Sequence, residues 1–294
     1  MLRKISVACL AFFITAPPFI MAQEPDYTQL DPRPYDPGTE PNIDMYIGSW
    51  GEAIPMKSHG NLVEREVLRR CDDPMNPPAK GAVLRYVHRF SHAILETNLK
   101  TVPTTPKGEQ ELFYILSGKG TVTGGGITYP VYQGISFLIP ENLEFTMENT
   151  GDEPLTMYLV VEPTHEGFVP NKHIVFRNEA ESPLLGTQSH WAHICKYVMR
   201  SDDGLAELAY SLVCYIAPHT FAQPHSHGPG VEEIWCAMGD DVKELLGKQL
   251  RDLPDGTAFL IPPNNTTPHA ALNVSEHMIK FFYFARFSDP VPKK

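Results

Sequence analysis

Two histidines separated by one residue mark the segment of this chain best suited to chemistry. His225 and His227 precede a turn rich in glycine and proline, residues 228–230, and Glu232 follows that turn. Because alternate residues of a β-strand point to the same face, the two imidazoles are expected side by side. The turn can return Glu232 beside them on the next strand. Imidazole nitrogens and carboxylate oxygens bind transition metals, so the spacing predicts a metal site.

A later segment offers a fourth ligand. His269 follows a second turn, residues 262–265, and is expected to add an imidazole from a later strand. Glu233 should point to the opposite face of its strand from Glu232, where we expect an ion pair. His190 and His193 either line the mouth of the site or pack against it without a role.

Three imidazoles and one carboxylate suit Fe, Mn, Ni, Co, Cu or Zn as divalent ions, and do not suit Ca or Mg. A closed structural zinc site would more typically contain cysteine, and no cysteine occupies these positions. In a six-coordinate ion, four protein ligands leave two adjacent positions for substrate oxygens, water or dioxygen. The ligand set is therefore compatible with an enzyme site.

The elements that must position these residues read as short strands. Apolar runs of three to nine residues, rich in β-branched and aromatic side chains and bounded by turns, predict an all-β protein. The 28 prolines among 294 residues are nearly twice the usual share of about 5%, which favours strands and turns over long helices. The runs are residues 93–95, 112–116, 135–139 and 157–161, then 208–216, 234–238, 257–261 and 279–284.

The strand pattern repeats after about 120 residues, which indicates an internal duplication. Two spaced patterns occur in both halves: Glu111-x6-Gly118 matches Glu232-x6-Gly239, and Gly134-x5-Pro140 matches Gly256-x5-Pro262. We predict two β-domains, residues 45–165 and 166–294.

The spacing of these motifs resembles that of a known superfamily. His225-x-His227-x4-Glu232-x6-Gly239, then Gly256-x5-Pro262 and His269-x3-Asn273, resemble the two sequence motifs of the cupins. The resemblance implies a bicupin: two tandem double-stranded β-helix barrels of the jelly-roll-like type. It also implies that a divalent transition metal binds at His225, His227, Glu232 and His269. Two departures are a loop before His269 that is two residues longer and His219 where the family usually has glycine.

The first predicted barrel lacks the three histidines of this motif. Aligning the halves places Thr104, Pro106 and Phe145 where the second barrel has its three histidines, and only Glu111 remains. One carboxylate cannot hold a transition metal in place. We predict a structural first barrel in which Phe145 packs where a ligand would lie.

The ends and the charge of the chain bear on location and partners. Residues 1–22 begin with Arg3 and Lys4, continue as an apolar run and end at Ala22, the pattern of a secretory signal cleaved near that residue. We predict export to the periplasm or the exterior. Residues 23–44, polar and rich in proline, should form an extended arm.

The net charge of the chain bears on its partners. Cleavage of the signal would remove Arg3 and Lys4 and take the net charge from −11 to −13. This negative charge disfavours nucleic acid and, after signal removal, membranes as partners.

Four cysteines would remain after cleavage, Cys71, Cys195, Cys214 and Cys236. Their spacing is neither that of a disulfide scaffold nor Cys-x-x-Cys, so we expect small buried side chains, with one disulfide as the alternative.

Strand alternation also predicts the substrate pocket. Gln223 shares the parity of His225, Cys236 and Met238 share that of Glu232, and an apolar wall is expected from Tyr215, Phe281 and Tyr283. Glu232, as metal ligand or base, is the one candidate catalytic residue.

Three functions remain open. The first is a metal-dependent enzyme acting on a small oxygen-rich substrate, a sugar, a hydroxy- or keto-acid or a phenolic, by Lewis-acid isomerisation, lyase chemistry or decarboxylation. The alternatives are a metal-dependent dioxygenase and a non-catalytic, metal-containing ligand-binding protein. Such a chain would be a monomer or a homodimer.

Overall fold

The computed structural model describes residues 41–185 and 192–287. The predicted signal peptide, most of the predicted arm and His190 lie outside these ranges. Within them the chain forms twenty-one strands and two 3-10 helices, Ile43–Tyr46 and Ser201–Asp203, but no α-helix. The predicted all-β fold is confirmed. In the described ranges no helix has the length and apolar character needed to cross a membrane.

The N-terminal half contributes twelve strands. In chain order they are β1 (Ile47–Ser49), β2 (Pro55–Ser58), β3 (Leu62–Arg70), β4 (Ala82–Leu84), β5 (Arg89–Leu95), β6 (Glu109–Ser117), β7 (Lys119–Gly124), β8 (Ile127–Tyr132), β9 (Ile135–Ile139), β10 (Phe145–Asn149), β11 (Leu155–Pro163) and β12 (Val175–Asn178).

The C-terminal half contributes nine strands. They are β13 (His193–Arg200), β14 (Tyr210–Ile216), β15 (Thr220–Phe221), β16 (Glu232–Ala237), β17 (Val242–Leu246), β18 (Gln249–Leu253), β19 (Thr257–Leu260), β20 (His269–Asn273) and β21 (Ile279–Arg286).

Each half forms a barrel of two facing sheets. In the first barrel the sheet β12-β9-β6-β11-β5-β3-β2, with β4 beside β3, packs against β10-β7-β8. In the second, β1-β19-β16-β21-β14-β13 packs against β15-β20-β17-β18. Buried apolar side chains from both sheets fill each barrel, for example Phe113 with Phe145 in the first and Trp235 with Ala270 in the second. This is the double-stranded β-helix predicted from the motifs.

The two barrels exchange their leading strands. β1 precedes the first barrel in sequence but pairs with β19 of the second, with Ile47 opposite Phe259. β12 precedes the second barrel but pairs with β9 of the first, with Phe176 opposite Phe137. The domain boundary between residues 165 and 166 stays a prediction, because the sheets on either side of it share strands.

A shared apolar core lies between the barrels. Phe90 and Tyr158 of the first barrel contact Phe282 of the second, with ring centroids 6.0 and 5.1 Å away. These side chains belong to one buried cluster that draws on both halves of the chain. Burial of aromatic surface of this kind dominates the energy of such interfaces.

Each barrel has one buried glutamate that binds a loop of the other barrel. Glu162, at the end of β11, accepts hydrogen bonds from the backbone N–H groups of residues 206, 207 and 208, at 2.8–2.9 Å. Glu232, at the start of β16, accepts them from residues 85, 86 and 87, at 2.6–3.1 Å. Because a buried carboxylate needs several donors, each glutamate fixes the loop that supplies them.

Candidate metal centre

Backbone pairing brings the predicted histidines together. His225 and His269 form an isolated antiparallel bridge, in which each backbone N–H donates to the carbonyl of the other, at 3.3 and 2.9 Å. The carbonyl of His227 accepts a hydrogen bond from the N–H of Asn265, at 2.8 Å. The longer loop before His269 is therefore tied directly to the His225–His227 segment, and all three imidazoles reach one site.

The side chains converge on one point. His269 Nε2 lies 3.1 Å from His225 Nε2 and 3.2 Å from His227 Nε2. Glu233 supplies the carboxylate, with its oxygens 3.1 Å from His227 Nε2 and 3.4 Å from His269 Nε2. The four ligand atoms all lie within 4.8 Å of one another, and His225, Glu233 and His269 are buried.

These distances fit a bound transition-metal ion. Ligand atoms about 2.0–2.1 Å from one ion stand roughly 2.9–3.4 Å apart at tetrahedral or octahedral angles. Lone pairs of imidazole nitrogens facing each other at 3.1 Å repel unless a proton or a cation lies between them. The donor set of three nitrogens and one carboxylate suits Fe, Mn, Ni, Co, Cu or Zn.

Two outer contacts orient the imidazoles. His225 Nδ1 lies 3.0 Å from the carbonyl oxygen of Gln223, and when Nδ1 donates to that oxygen the Nε2 atom faces the site with its lone pair. His269 Nδ1 lies 3.8 Å from Oε1 of buried Glu244 on β17. That distance is longer than a hydrogen bond, but it is short enough for an Nδ1–H of His269 to turn toward the Glu244 carboxyl. Such partners fix the tautomer of metal-binding histidines.

The electrostatics of the site centre on Glu233. Burial acts to raise the pKa of Glu233, but the charge and hydrogen bond of His227, with the charges of His269 and His225, hold it well below its usual range. Burial also lowers the pKa of His225. Glu233 further accepts hydrogen bonds from Trp235 Nε1 at 2.7 Å and from Tyr283 Oη at 3.0 Å. An ionised carboxylate is thus held in place at the centre of the cluster.

The prediction that Glu232 is the carboxylate ligand is wrong. Glu232 points to the opposite face of β16, where it binds the loop at residues 85–87, and the expected ion-pair residue Glu233 faces the histidines. The reason is a one-residue difference between the barrels. Gly134 and Gly256 donate equivalent hydrogen bonds to Ile115 and Ala237, four residues after Glu111 and Glu233 respectively.

The following left-handed glycine is displaced by that difference. Gly118, with φ of +81°, comes three residues after Ile115, whereas Gly239, with φ of +84°, comes two residues after Ala237. The spacing Glu111-x6-Gly118, applied backwards from Gly239, therefore selects Glu232. The residue structurally equivalent to Glu111 is the next one, Glu233.

The same error moves half of the predicted pocket to the other face. Cys236 shares the parity of Glu232 and contacts Tyr158 of the first barrel, 3.5 Å from its hydroxyl. Met238 and Tyr215 line a cavity of about 800 Å³ between the barrels, away from the histidines. The prediction that these three residues line the metal site is wrong. The inward positions are residues 233, 235 and 237 on β16, and on β14 they are residues 212, 214 and 216, so Tyr215 faces the other side.

Three predicted pocket residues do lie near the cluster. Gln223 contacts His225 through its carbonyl, and Tyr283 binds Glu233. Phe281 is fully buried and packs edge-on against Trp235, with ring centroids 5.5 Å apart. They form the floor of the site rather than an open wall.

Three further residues border the cluster, and of these the sequence analysis named only His193, whose role it left open. Trp235 lies 6.2 Å from the His269 ring by centroid, His193 lies 5.1 Å from Trp235, and Glu244 faces His269 Nδ1. His193 and Glu244 line a small space beside His225 and His269. Alternation from Glu233 would have found Trp235, while Glu244 lies on a different strand that no motif marks.

The first barrel carries a different group at the equivalent place. Thr104 and Phe145 form the same isolated bridge as His225 and His269, so the predicted alignment of these positions agrees with the backbone. The expectation that only Glu111 remains is incomplete. His59, from the β2–β3 turn, places Nε2 3.0 and 3.2 Å from the Glu111 oxygens, and its ring lies 5.6 Å from Phe145.

Comparison with known proteins agrees with this fold. A family model described as a cupin domain matches residues 99–161, which lie in the first barrel rather than in the barrel with the histidines. The sequence matches no curated protein.

Several solved structures are similar over most of the chain. The protein Ylba from E. coli has a TM-score of 0.64 at 14% identity, covering 86% of this chain and 96% of its own. AerE from Microcystis aeruginosa has a TM-score of 0.62 at 13% identity, covering 83% and 100%. A variant of oxalate decarboxylase from B. subtilis with one tryptophan replaced by phenylalanine has a TM-score of 0.62 at 12% identity, covering 86% and 79%.

The fold and the matched segment define a class. The chain has a two-barrel fold of the cupin type, with a cupin-domain match over residues 99–161, and its candidate metal ligands, His225, His227, Glu233 and His269, lie in the C-terminal barrel.

Proposed function

We propose that this cupin is a metal-dependent enzyme acting on a small oxygen-rich substrate by Lewis-acid chemistry, such as isomerisation, lyase chemistry or decarboxylation. The observation that carries the proposal is the convergence of three imidazole Nε2 atoms and one Glu233 oxygen within 4.8 Å. A divalent transition metal held there would supply a Lewis acid that polarises a substrate oxygen. The Mn(II) centres named for the similar B. subtilis oxalate decarboxylase support this class of chemistry.

The residues of this chain have distinct roles in the proposed site. Glu233 provides the single negative charge among the ligands, and the hydrogen bonds from Trp235 and Tyr283 keep its carboxylate from rotating. Phe281 and Trp235 exclude water from the floor of the barrel. His193 and Gln223 pack closely beside His225 and His269, which limits the movement of those two imidazoles.

A non-catalytic, metal-containing binding protein is the second candidate. The observation that favours it is that the larger cavity, about 800 Å³, lies between the barrels and not at the histidines. A metal-dependent dioxygenase is a third reaction class with the same ligands, and it requires a redox-active metal.

The first experiment is elemental analysis of protein purified without a metal-affinity tag, beside a His225→Ala/His227→Ala variant. The matched control is His219→Ala/His277→Ala, which removes two exposed histidines of the same barrel that pair with Glu276 and Asp240. We expect about one equivalent of metal in the wild type and the control, and none in the first variant. No metal in the wild type after reconstitution with each of the six ions would overturn the proposal.

Substrate assays then separate the three functions. Hydroxy- and keto-acids, dicarboxylates, sugars and phenolics would be incubated with the loaded protein, with CO2 release, oxygen consumption and isomer formation as readouts. Turnover without oxygen supports the Lewis-acid enzyme, and oxygen consumption supports the dioxygenase. Binding of a ligand without turnover supports the binding protein.

We also propose that the chain is exported and cleaved near Ala22. The basic start, apolar run and small residue of residues 1–22 support it. N-terminal sequencing of protein recovered from the periplasm or the medium tests it, and a chain that retains Met1 in the cytoplasm would contradict it.

A further inference from the structure

One sheet of the second barrel holds two thiols directly opposite each other. Cys195 on β13 pairs in register with Cys214 on β14, and their sulfur atoms lie 2.8 Å apart. Nonbonded carbon atoms prefer separations of roughly 3.5–4.0 Å, and sulfur is the larger atom. The two side chains therefore share one face of the sheet and are closer than separate thiols prefer.

The backbone at this pair has the geometry that a cross-strand disulfide requires. The carbonyl of Cys195 accepts a hydrogen bond from the N–H of Leu185, at 3.0 Å, on the side of β13 away from β14. Cys195 and Cys214 are thus a non-hydrogen-bonded pair, in which Cα atoms approach to about 4.5 Å. That separation lies within the range of disulfides, about 4.4–6.8 Å.

The surroundings would protect such a bond once formed. Both cysteines are only 1% exposed and belong to the apolar core of the second barrel, with Leu212 and Tyr283. Burial raises the pKa of the Cys214 thiol well above its usual range, so the folded protein would contain almost no thiolate at this position. Because exchange needs a thiolate and access to it, the bond would form during folding and then resist reduction.

The pair is not a general requirement of the fold. In the first barrel the equivalent strands β3 and β5 place Glu64 opposite Ala93, and Glu64 is held by Arg89 at 2.7 Å. The first barrel thus has an ion pair between β3 and β5 where the second barrel has two sulfur atoms. Cys71 and Cys236 are also buried thiols, and the Cys236 sulfur contacts the Tyr158 hydroxyl instead of another cysteine.

We propose that Cys195 and Cys214 form a disulfide that covalently joins β13 to β14 and stabilises the second barrel. The two thiols lose two protons and two electrons as the S–S bond forms. A disulfide-bearing oxidant accepts the electrons by exchange and leaves as two thiols, as oxidised glutathione does. The bond fixes β13 two residues after His193, which borders the metal cluster.

The test counts thiols. The full chain is unfolded and reduced, then refolded either in a buffer of oxidised and reduced glutathione or in excess dithiothreitol, and is finally denatured in iodoacetamide for intact mass measurement. We expect two fewer alkylated cysteines after refolding with glutathione, and a linked peptide pair containing Cys195 and Cys214. Chain expressed in an oxidising compartment and blocked without prior unfolding provides the same count if refolding is inefficient.

Variants assign the bond. Cys195→Ser and Cys214→Ser should each abolish the difference between the two refolding conditions, while Cys71→Ser should leave it at two. Equal counts in the wild type under both conditions, or a linked pair that contains Cys71 or Cys236, would overturn the proposal.

Thermal unfolding measures the effect on stability. The two cysteines are 19 positions apart, and closing a loop of this size predicts that the oxidised wild type melts about 6–12 °C above the protein refolded in dithiothreitol. Equal melting temperatures would contradict the stabilising role.

Discussion

The two barrels share a backbone and differ in what surrounds the same buried carboxylate. Glu111 and Glu233 occupy equivalent positions, each opposite the residue before the motif proline, Ile139 and Ile261. In the second barrel three imidazoles of the same barrel, two from the segment between β15 and β16 and one from β20, surround Glu233. In the first, one imidazole from a hairpin turn, His59, contacts Glu111, and Phe145 fills the place of His269.

The difference shows what a buried carboxylate requires. An isolated buried anion is costly, so a compensating positive charge or several donors must accompany it. In the second barrel a metal cation held by the three histidines would meet that requirement, and in the first barrel a single protonated histidine can meet it. One position can therefore hold either a metal centre or a simple ion pair, depending on the strands and turns that face it.

The largest expected effect comes from removing the ligand carboxylate. Glu233→Ala should weaken metal binding by about 10²–10⁴-fold, because it leaves the cation without its one anionic ligand, a loss of about 3–5 kcal/mol. Competition with a chelator of known affinity measures it.

The neighbouring glutamate provides the control. Glu232→Gln changes the adjacent residue but not the cluster, so its metal affinity should equal that of the wild type. If Glu232→Gln loses metal and Glu233→Ala retains it, the assignment of the ligand face of β16 is wrong.

A second effect separates the role of Glu232 from that of Glu233. Burial raises the pKa of Glu232 to about 7, although the hydrogen bonds from the backbone of residues 85–87 act to lower it. The folded state then binds a proton more tightly than the unfolded state. The contribution to stability is fully present below about pH 4.5 and is lost as the pH rises through about 7, a change of about 3 kcal/mol.

Glu232→Gln should remove that part of the pH dependence. Urea unfolding of the metal-free protein between about pH 5 and pH 8 measures it, and the free energy of unfolding of the variant should fall less steeply with pH than that of the wild type. Parallel pH profiles for the two proteins would show that Glu232 does not titrate in this range.

A third effect tests the contact between His269 and Glu244 in the second barrel. Glu244→Leu should weaken metal binding by about 10–100-fold, because His269 loses the oxygen toward which its Nδ1–H can turn. Glu244→Gln keeps an oxygen at that place and should bind metal more tightly than Glu244→Leu. Similar affinities for both variants would mean that Glu244 only fills space.

Much of this arrangement could be predicted from the sequence, and the failures share a cause. Strand runs and motif spacing predicted two all-β barrels, and spacing also brought His225, His227 and His269 together. The carboxylate was misassigned because a one-residue shortening before Gly239 reverses the face of a strand whose period is two. That single shift also misplaced Cys236 and Met238.

Contacts between distant segments were beyond sequence patterns. His59 lies 52 positions before Glu111, in a hairpin turn that no motif marks. The loop at residues 85–87 lies about 145 positions before Glu232, which it binds. Such pairs depend on how the barrels pack, so local spacing carries no signal for them.

The smallest expected effect concerns the ion pair of the first barrel. Burial acts to lower the pKa of His59, but the hydrogen bond and charge of Glu111 outweigh it and raise that pKa above its usual value. The stabilisation of the folded state by protonated His59 is fully present below about pH 6.5 and is lost as the pH rises through the pKa of His59 in the folded protein. The contribution of the His59–Glu111 pair to the free energy of unfolding should be smaller than that of one charged hydrogen bond, about 1.5–3 kcal/mol.

His59→Gln should flatten the pH dependence of unfolding above about pH 6.5 and leave the metal content unchanged, because the cluster lies in the other barrel. The exposed His219, replaced in the same way, serves as the control and should alter neither measurement. Loss of metal in His59→Gln would mean that the two barrels are coupled, and the contrast between a metal centre and a separate ion pair would then fail.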